Sequence, residues 1–510
     1  MIPVAALIAG SALPAAFSPF GVWPLAILSP AVLFFLWRTV SARRAAWIGF
    51  VYGLGTYTTG TYWLYTSIHG FGQAPAWLAL ILMAALIALM ATYTAALGWL
   101  TVRVLPTQPA IRWLFGVPAL WVLLEWVRGW FLSGFGWLSL GYSQTDTVLA
   151  GFAPLAGMPL ISLIIVMMAG ALVLWRDGAG HAKRLAVAVL LLPWALGAAL
   201  ERLEWTQSAG APRDVAIVQG AIPQDQKWLL DNRETTLELY RSLTEQAMGS
   251  DIIVWPEAAI PDLANHVVPY LVEVGNRARE SGAALAMGLI RSEPGEPVDP
   301  LSPVDPPPRY FNSILAWGDE LQWYDKHHLV PFGEFFPVPA TVREWLRLMN
   351  LPYSDFTRGA EGQPPLPLAG LLFAASICYE DAYPTSLHSA VRPSSALINV
   401  TNDAWFGRST ARYQHLQIAR MRSIESRRFQ LRAANDGVSA VIDAHGRIVA
   451  SAPEYQSAVL RATMEPRGGL TPYIQFGNWP VLGLSLSWLG LALWQRRREG
   501  RGRVGSPPHH

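Results

Sequence analysis

Leu371-Leu-Phe-Ala-Ala-Ser-Ile-Cys-Tyr-Glu-Asp381 is the stretch from which the rest of the chain can be read. Leu371–Ile377 is apolar and strand-like, and it carries a thiol to its end; the polar Tyr-Glu-Asp that follows reads as the opening of a helix. At such a junction the sulfur faces the positive end of a helix dipole, which favours thiolate. Cys378 is the only cysteine in 510 residues, so an intramolecular disulfide is not open to it. A lone cysteine is by default a small buried apolar residue. Its neighbours point instead to a nucleophile.

Outward from Cys378, strand-like runs recur at Asp214–Gln219, Asp251–Trp255, Ala283–Ile290, Phe311–Trp317, Ala396–Val400, Val438–Asp443 and Ala458–Met464. Helical patterns separate several of them, notably Asn232–Met248 and Val268–Ser281. This alternation predicts an α/β domain. Ser292–Pro308, rich in Pro, Glu, Asp and Gly, reads as a surface insertion. Two further strand ends carry chemistry. Val254-Trp-Pro-Glu-Ala258 places Glu257 where a strand gives way to a turn, and Trp323-Tyr-Asp-Lys326 places Lys326 just past another. Of 38 basic residues only Lys183, Lys227 and Lys326 are lysines. A chain so biased to arginine keeps lysine where a compact ammonium is needed. A carboxylate, an ammonium and a thiol brought to one sheet edge would form a base, an oxyanion stabiliser and a nucleophile. Taken singly, Glu257 and Lys326 read equally well as surface charges.

The α/β region is embedded in a chain of another class. Hydrophobic residues make up 52% of it, charged ones 15%, and tryptophan occurs 23 times, a balance that excludes an ordinary soluble enzyme. Eight apolar stretches are expected to span a membrane: 3–18, 22–37, 45–66, 76–102, 111–128, 152–175, 185–201 and 478–494. The first two are short, interrupted at Pro14 and Pro24. No Lys or Arg precedes the first and further apolar segments follow directly, so a cleaved signal peptide is not expected. Arg38, Arg43 and Arg44, then Arg103 and Arg112, then Arg176, Lys183 and Arg184, and finally Arg496–Arg503 mark connections on one side; 67–75 and 129–151 carry almost no positive charge. The positive-inside rule puts both termini in the cytoplasm and the segment 202–477 outside. The expected organisation is a helical membrane domain over 1–201, a catalytic domain over 202–477, a last span over 478–494 and a basic cytoplasmic tail over 495–510. No basic patch with interleaved aromatics suggests nucleic acid.

Glu257 in Trp-Pro-Glu, Lys326 in Asp-Lys-His-His-Leu-Val-Pro-Phe-Gly-Glu and Cys378 in Cys-Tyr-Glu-Asp resemble, in order and spacing, the Glu-Lys-Cys triad of the nitrilase or carbon–nitrogen hydrolase superfamily. Eight spans around an outer nitrilase-like domain resemble its membrane-embedded branch, the apolipoprotein N-acyltransferases. That resemblance implies an αββα sandwich for the outer domain. It also implies acyl transfer from a membrane phospholipid to the N-terminal diacylglyceryl-cysteine of bacterial lipoproteins at the periplasmic face of the inner membrane. It marks Glu334 as a second active-site carboxylate, and Tyr379, Glu380 and Trp228 as neighbours of the site.

The expected cycle is a ping-pong transfer through a Cys378 thioester, with no cofactor. His327 and His328, adjacent on an extended chain, point to opposite faces and are not read as metal ligands. The apolar segment Phe335–Leu351 reads as a lid resting near the bilayer, or as an ordinary packed amphipathic helix. Two rivals stand beside this reading: a membrane-tethered amidase with water as acceptor, and a transporter or receptor with a non-catalytic nitrilase-like domain. For the last, functional charges inside spans are expected, and only Glu125 qualifies, with Arg128 or Arg112 as its potential partner.

Overall fold

The computed structural model describes residues 1–295, 308–331, 333–335 and 356–504. The segment 336–351 of the expected lid and residues 296–307 of the expected insertion lie outside the described residues. Two compact units emerge: Met1–Tyr62, Trp77–Glu204 and Phe476–His510 form one, Trp63–Ala76 and Trp205–Gln475 the other.

The first unit is helical. Four of its helices are long and apolar enough to cross a membrane: Ala76–Arg103, Pro109–Arg128, Val148–Asp177 and His181–Glu201. Apolar helices also cover Ile2–Ala12, Leu25–Trp37, Ala42–Gly60 and Trp479–Val504. The first ends before Pro14, which falls in a tight turn over Leu13–Ala16, and the second begins directly after Pro24. Along His181–Glu201, Leu191, Leu192 and Leu196 remain exposed, as side chains in contact with lipid would be. The helices pack through small residues: a Cβ on Gly10 would lie 2.0 Å from the carbonyl oxygen of Tyr52, and one on Gly49 would lie 2.2 Å from that of Thr94. Glu125 pairs with Arg128 at 3.7 Å and accepts from the Leu140 amide, while Arg128 donates to the carbonyls of Phe135 and Trp137. The one acidic residue expected within a span thus holds a loop together.

The third expected span, 45–66, needs correction. Its helix stops at Gly60, and Trp63–Phe71 continues as a short helix and a wide helical turn belonging to the second unit. There Trp63 packs edge-on against Phe406, and Ser67 donates to the Trp405 carbonyl at 2.8 Å.

The second unit is built on two six-stranded sheets. One contains β1 (Arg213–Gln219), β2 (Ile252–Val254), β3 (Ala284–Glu293), β4 (Arg309–Trp317), β5 (Leu321–Asp325) and, at its far edge beside β1, β12 (Ala458–Met464). The other runs in order from β6 (Leu366–Leu368) through β7 (Leu371–Ile377), β8 (Ala396–Thr401), β9 (Gln430–Ala434) and β10 (Ala440–Ile442) to β11 (Ile448–Ser451). Period-two alternation decides the layers. Val215, Ile217, Ile252, Val254, Ala284 and Ala286 face Phe373, Ala375, Ile377, Ile398 and Val400 in one core between the sheets. Ala216, Val218, Ile253 and Leu285 point the other way, onto the helices Arg233–Ala247 and Val268–Glu280. Leu416 and Ala419 of the helix Ala411–Ser426 cover Ala440 and Ile442 on the outer face of the second sheet. The result is the expected αββα sandwich. Strands β5–β6, β9 and β11 and the helix Ala411–Ser426 add to the elements expected from hydrophobic pattern; only the entry to Lys326 had suggested β5.

Candidate active site

Strand direction explains why three distant residues meet. β2 and β3 are parallel, β4 is antiparallel to β3, and β5 antiparallel to β4, so β2 and β5 end on the same edge. Glu257 follows β2 after Trp255-Pro256, and Lys326 is the first residue after β5, tied to β4 by its amide on the Asn312 carbonyl at 2.8 Å. Cys378 ends β7 of the facing sheet.

Lys326 is 1% exposed and its Nζ lies 2.8 Å from Glu334 Oε1 and 3.4 Å from Glu257 Oε1. Burial opposes its charge, but Glu334 and then Glu257 more than offset that, and its pKa moves up. Lys326 is a permanent ammonium here. Asn312, on β4, bridges the same two carboxylates: its Nδ2 donates to Glu257 at 2.7 Å and to Glu334 at 3.0 Å. Glu334 also accepts from the Val330 amide, which closes the turn carrying it. Glu257 is therefore held by two side chains, and a third contact fixes its backbone: Lys227, fully buried, donates to its carbonyl at 3.3 Å. Burial draws the Lys227 ammonium down to about 8 against the pull of Glu257 and Asp436.

Cys378 adopts φ +50°, a left-handed conformation that costs a β-carbon-bearing residue about 1–2 kcal/mol. Ala258, directly after Glu257, has φ +45°. Such strain persists only where surroundings enforce it. Glu380 is the enforcer after β7. Its Oε2 accepts from the Ile377 amide at 2.7 Å and the Tyr324 hydroxyl at 2.9 Å, and its Oε1 accepts from the amides of His327 and His328 at 2.8 and 3.0 Å. One buried carboxylate thus ties the chain before the nucleophile to the chain after the lysine.

The thiol differs from the sequence-based expectation. The expected helix after Cys378 is a tight turn over Cys378–Ala382, too short to supply a useful dipole. Burial pushes the thiol up, Glu257 pushes it further, and Lys326 only partly compensates. The raised pKa favours the thiol over the thiolate, and a nucleophile in that state needs a base to take its proton during attack. Glu257, whose charge acts on the thiol, is the candidate for that base.

The remaining predicted residues line the surroundings. Tyr379 meets Tyr383 edge-on at 5.2 Å, and Tyr383 stacks on His328 at 4.2 Å. Trp228 packs with Ala258, Leu263 and Ile290, beside the backbone that follows Glu257. His327 donates from Nδ1 to the Gly359 carbonyl at 2.8 Å. Sequence reasoning missed Asn312, a polar residue within the apolar run Phe311–Trp317. It also missed Lys227, which the scarcity of lysine could have marked as well as Lys326.

Comparison with known proteins identifies the family. Residues 9–171 match the apolipoprotein N-acyltransferase N-terminal domain, and residues 214–472 match the carbon-nitrogen hydrolase family. Apolipoprotein N-acyltransferase from Vibrio cholerae serotype O1 is 38% identical, covering 98% of this chain and 98% of its own. The chain belongs to the apolipoprotein N-acyltransferase family. Family members from Azotobacter vinelandii and Pseudomonas putida are each 42% identical, covering 97% and 96% of this chain and 95% and 96% of their own. The match runs through both the helical and the sheet-rich parts, and with the apolar helices it makes this a membrane protein.

Proposed function

We propose that this chain transfers an acyl group from a membrane phospholipid, through a Cys378 thioester, to the α-amine of the N-terminal diacylglyceryl-cysteine of apolipoproteins. The observation that supports it most directly is the enclosed Glu257–Lys326–Cys378 arrangement in a chain related to N-acyltransferases over nearly its whole length.

In the first half, Cys378 Sγ attacks the ester carbonyl while Glu257 takes the thiol proton. The Lys326 ammonium, two of whose N–H bonds go to Glu334 and Glu257, offers its third to the developing oxyanion. The C–O bond breaks, and the lysophospholipid leaves with the proton from Glu257. In the second half the acceptor amine attacks the thioester, Glu257 takes its proton, and the amide forms as the thiol is restored. A raised thiol pKa suits neither long-lived thiolate nor free reactivity; it confines nucleophilicity to the moment when Glu257 and substrate are both in place. The Glu125–Arg128 pair, engaged in holding a loop, speaks against the transporter reading.

Incubation with phospholipid alone should add one acyl mass to the protein, labile to hydroxylamine, mapping to Cys378, and discharged by an amine-bearing diacylglyceryl peptide. Activity without any such adduct would eliminate the covalent route. Eight spans, an inner-membrane site, a periplasmic catalytic domain and cytoplasmic termini complete the reading. Reporter fusions within 67–75, 129–151 and 202–477 should report the outer side, and fusions after Arg496 the cytoplasm. A cytoplasmic signal from 202–477 would overturn this orientation.

A further inference from the structure

Behind the nucleophile lies a second buried polar cluster that the proposed cycle does not use. Asp403, His415 and Arg432 are each completely buried. His415 Nδ1 lies 2.8 Å from Asp403 Oδ1, and its Nε2 lies 3.1 Å from the carbonyl oxygen of Cys378 itself. Arg432 donates to Asp403 Oδ2 at 3.0 Å and to Asn399 Oδ1 at 2.7 Å, and its guanidinium is 3.6 Å from Asp381. Arg432 Nη2 also lies 3.0 Å from His415 Nδ1, so both groups crowd one carboxylate. Asn399, from β8, reaches the Cys378 carbonyl at 3.4 Å.

The Cys378 carbonyl oxygen can only accept, so Nε2 of His415 donates to it. Asp403 and Asp381 stand around the Arg432 guanidinium, which gathers the cluster behind Cys378. A buried polar cluster of this kind is costly to assemble and makes sense where it fixes something. What it fixes is the peptide plane following Cys378, in the residue whose φ of +50° would otherwise relax. Rotation of that plane would swing Sγ away from Glu257 and Lys326.

We infer that His415, oriented by Asp403 and Arg432, is a positioning residue that holds Cys378 in its reactive conformation by donating from Nε2 to the Cys378 carbonyl. It touches neither substrate nor sulfur. The inference rests on the thioester reading above, and its test separates the two.

Because the chain has a single cysteine, [1-¹³C]cysteine labels one backbone carbonyl, that of Cys378. In the full-length protein, dipolar dephasing of this carbon by ¹⁵N-labelled histidine rings should be seen, and its absence would refute the contact in the unaltered enzyme. His415→Leu, similar in volume but without a donor, should move the labelled carbonyl stretch to higher wavenumber. It should also slow Cys378 acylation by phosphatidylethanolamine liposomes by about ten- to a hundredfold, the range for a lost buried hydrogen bond or a displaced reacting atom. His415→Gln, whose Nε2 can replace the donor, should recover most of both. An acylation rate in folded His415→Leu equal to wild type would overturn the inference. So would equal slowing in the two variants when only His415→Gln keeps the carbonyl band in place. Should His415→Leu not fold, the Gln variant alone decides: a shifted band with an undiminished rate sinks the role. Failure of the wild-type protein to acylate Cys378 would instead strike the thioester reading and leave the isotope contact standing or falling by itself.

Discussion

Lys326 offers the sharpest separation between charge and placement. Its Nζ lies 2.8 Å from one carboxylate and 3.4 Å from the other. At an effective dielectric of about 20 each contact carries roughly 5–6 kcal/mol of gross attraction. Both carboxylates also accept from the same Asn312 nitrogen, at 2.7 and 3.0 Å, so their oxygens are no more than about 6 Å apart. In Lys326→Met that pair loses its cation and repels itself by roughly 3 kcal/mol. The variant should lose about 3–5 kcal/mol of stability at neutral pH, the usual result of stripping one partner from a buried ion cluster. One of the two carboxylates should then hold a proton. A carboxyl whose folded pKa is raised stabilises at low pH and loses that contribution as pH rises through the folded value, so the deficit should shrink in acid. Lys326→Arg keeps the charge and should lose only about 1–3 kcal/mol to overpacking in this 1% exposed site. Both variants should nonetheless acylate Cys378 about 10²–10³-fold more slowly, the effect of losing one placed oxyanion donor. Single-turnover intact mass with phospholipid, read beside denaturant unfolding in detergent, distinguishes the two quantities. Folded Lys326→Arg that acylates within a few-fold of wild type would remove Lys326 from the chemistry.

Glu257→Gln should raise the alkylation rate of Cys378 by iodoacetamide near neutral pH while abolishing acylation by phospholipid, because Glu257 pushes the thiol pKa up as well as being the proposed base; parallel loss of both reactivities would contradict this. Asp436, whose carboxyl burial raises from 3.8 to about 6, should destabilise the fold above pH 6 and not below about 4. Asp436→Asn should therefore be more stable than wild type at pH 7 by up to about 3 kcal/mol, with the gap closing toward pH 4; a difference constant with pH, measured by unfolding at both values, would be the contrary result.

Much of the molecule was legible because two periodicities coexist in one chain. Long apolar stretches gave the helices, and period-two runs such as Val215–Gln219 and Leu371–Ile377 gave strands whose alternate side chains feed two different cores. Glu257, Lys326 and Cys378 were legible as candidates because each sits at the end of such a run. The thiol's electrostatics were not, because a dipole argument needs a helix. Cys-Tyr-Glu-Asp forms none, because its Glu380 turns back to cap Ile377 and to hold His327 and His328, closing a single tight turn. The end of the third helix at Gly60 was hidden for a related reason. Trp63 and Phe71 are as apolar as a span requires, yet their partners are Phe406 and Trp405, which no hydropathy window can see.

The helix Ala411–Ser426 shows why the deeper layer of the site escaped. Arg412, Gln414, His415, Gln417, Arg422 and Glu425 are all buried, so the helix has no polar face to betray its amphipathicity. A sequence reader takes such a stretch for a solvated helix and its histidine for an ordinary surface residue. Its burial follows from position instead: the helix lies over the outer face of the second sheet, whose own polar residues Asn399, Thr401 and Arg432 need partners away from water. The same logic joins Lys227 to Glu257 and His415 to Cys378. In each case a buried side chain donates to the backbone carbonyl of a proposed reacting residue, leaving that residue's own side chain free. Acyl transfer without hydrolysis asks for a nucleophile that is inert until substrate arrives and accurately placed when it does. The raised pKa of the thiol supplies the first property, and the donors behind the two carbonyls supply the second.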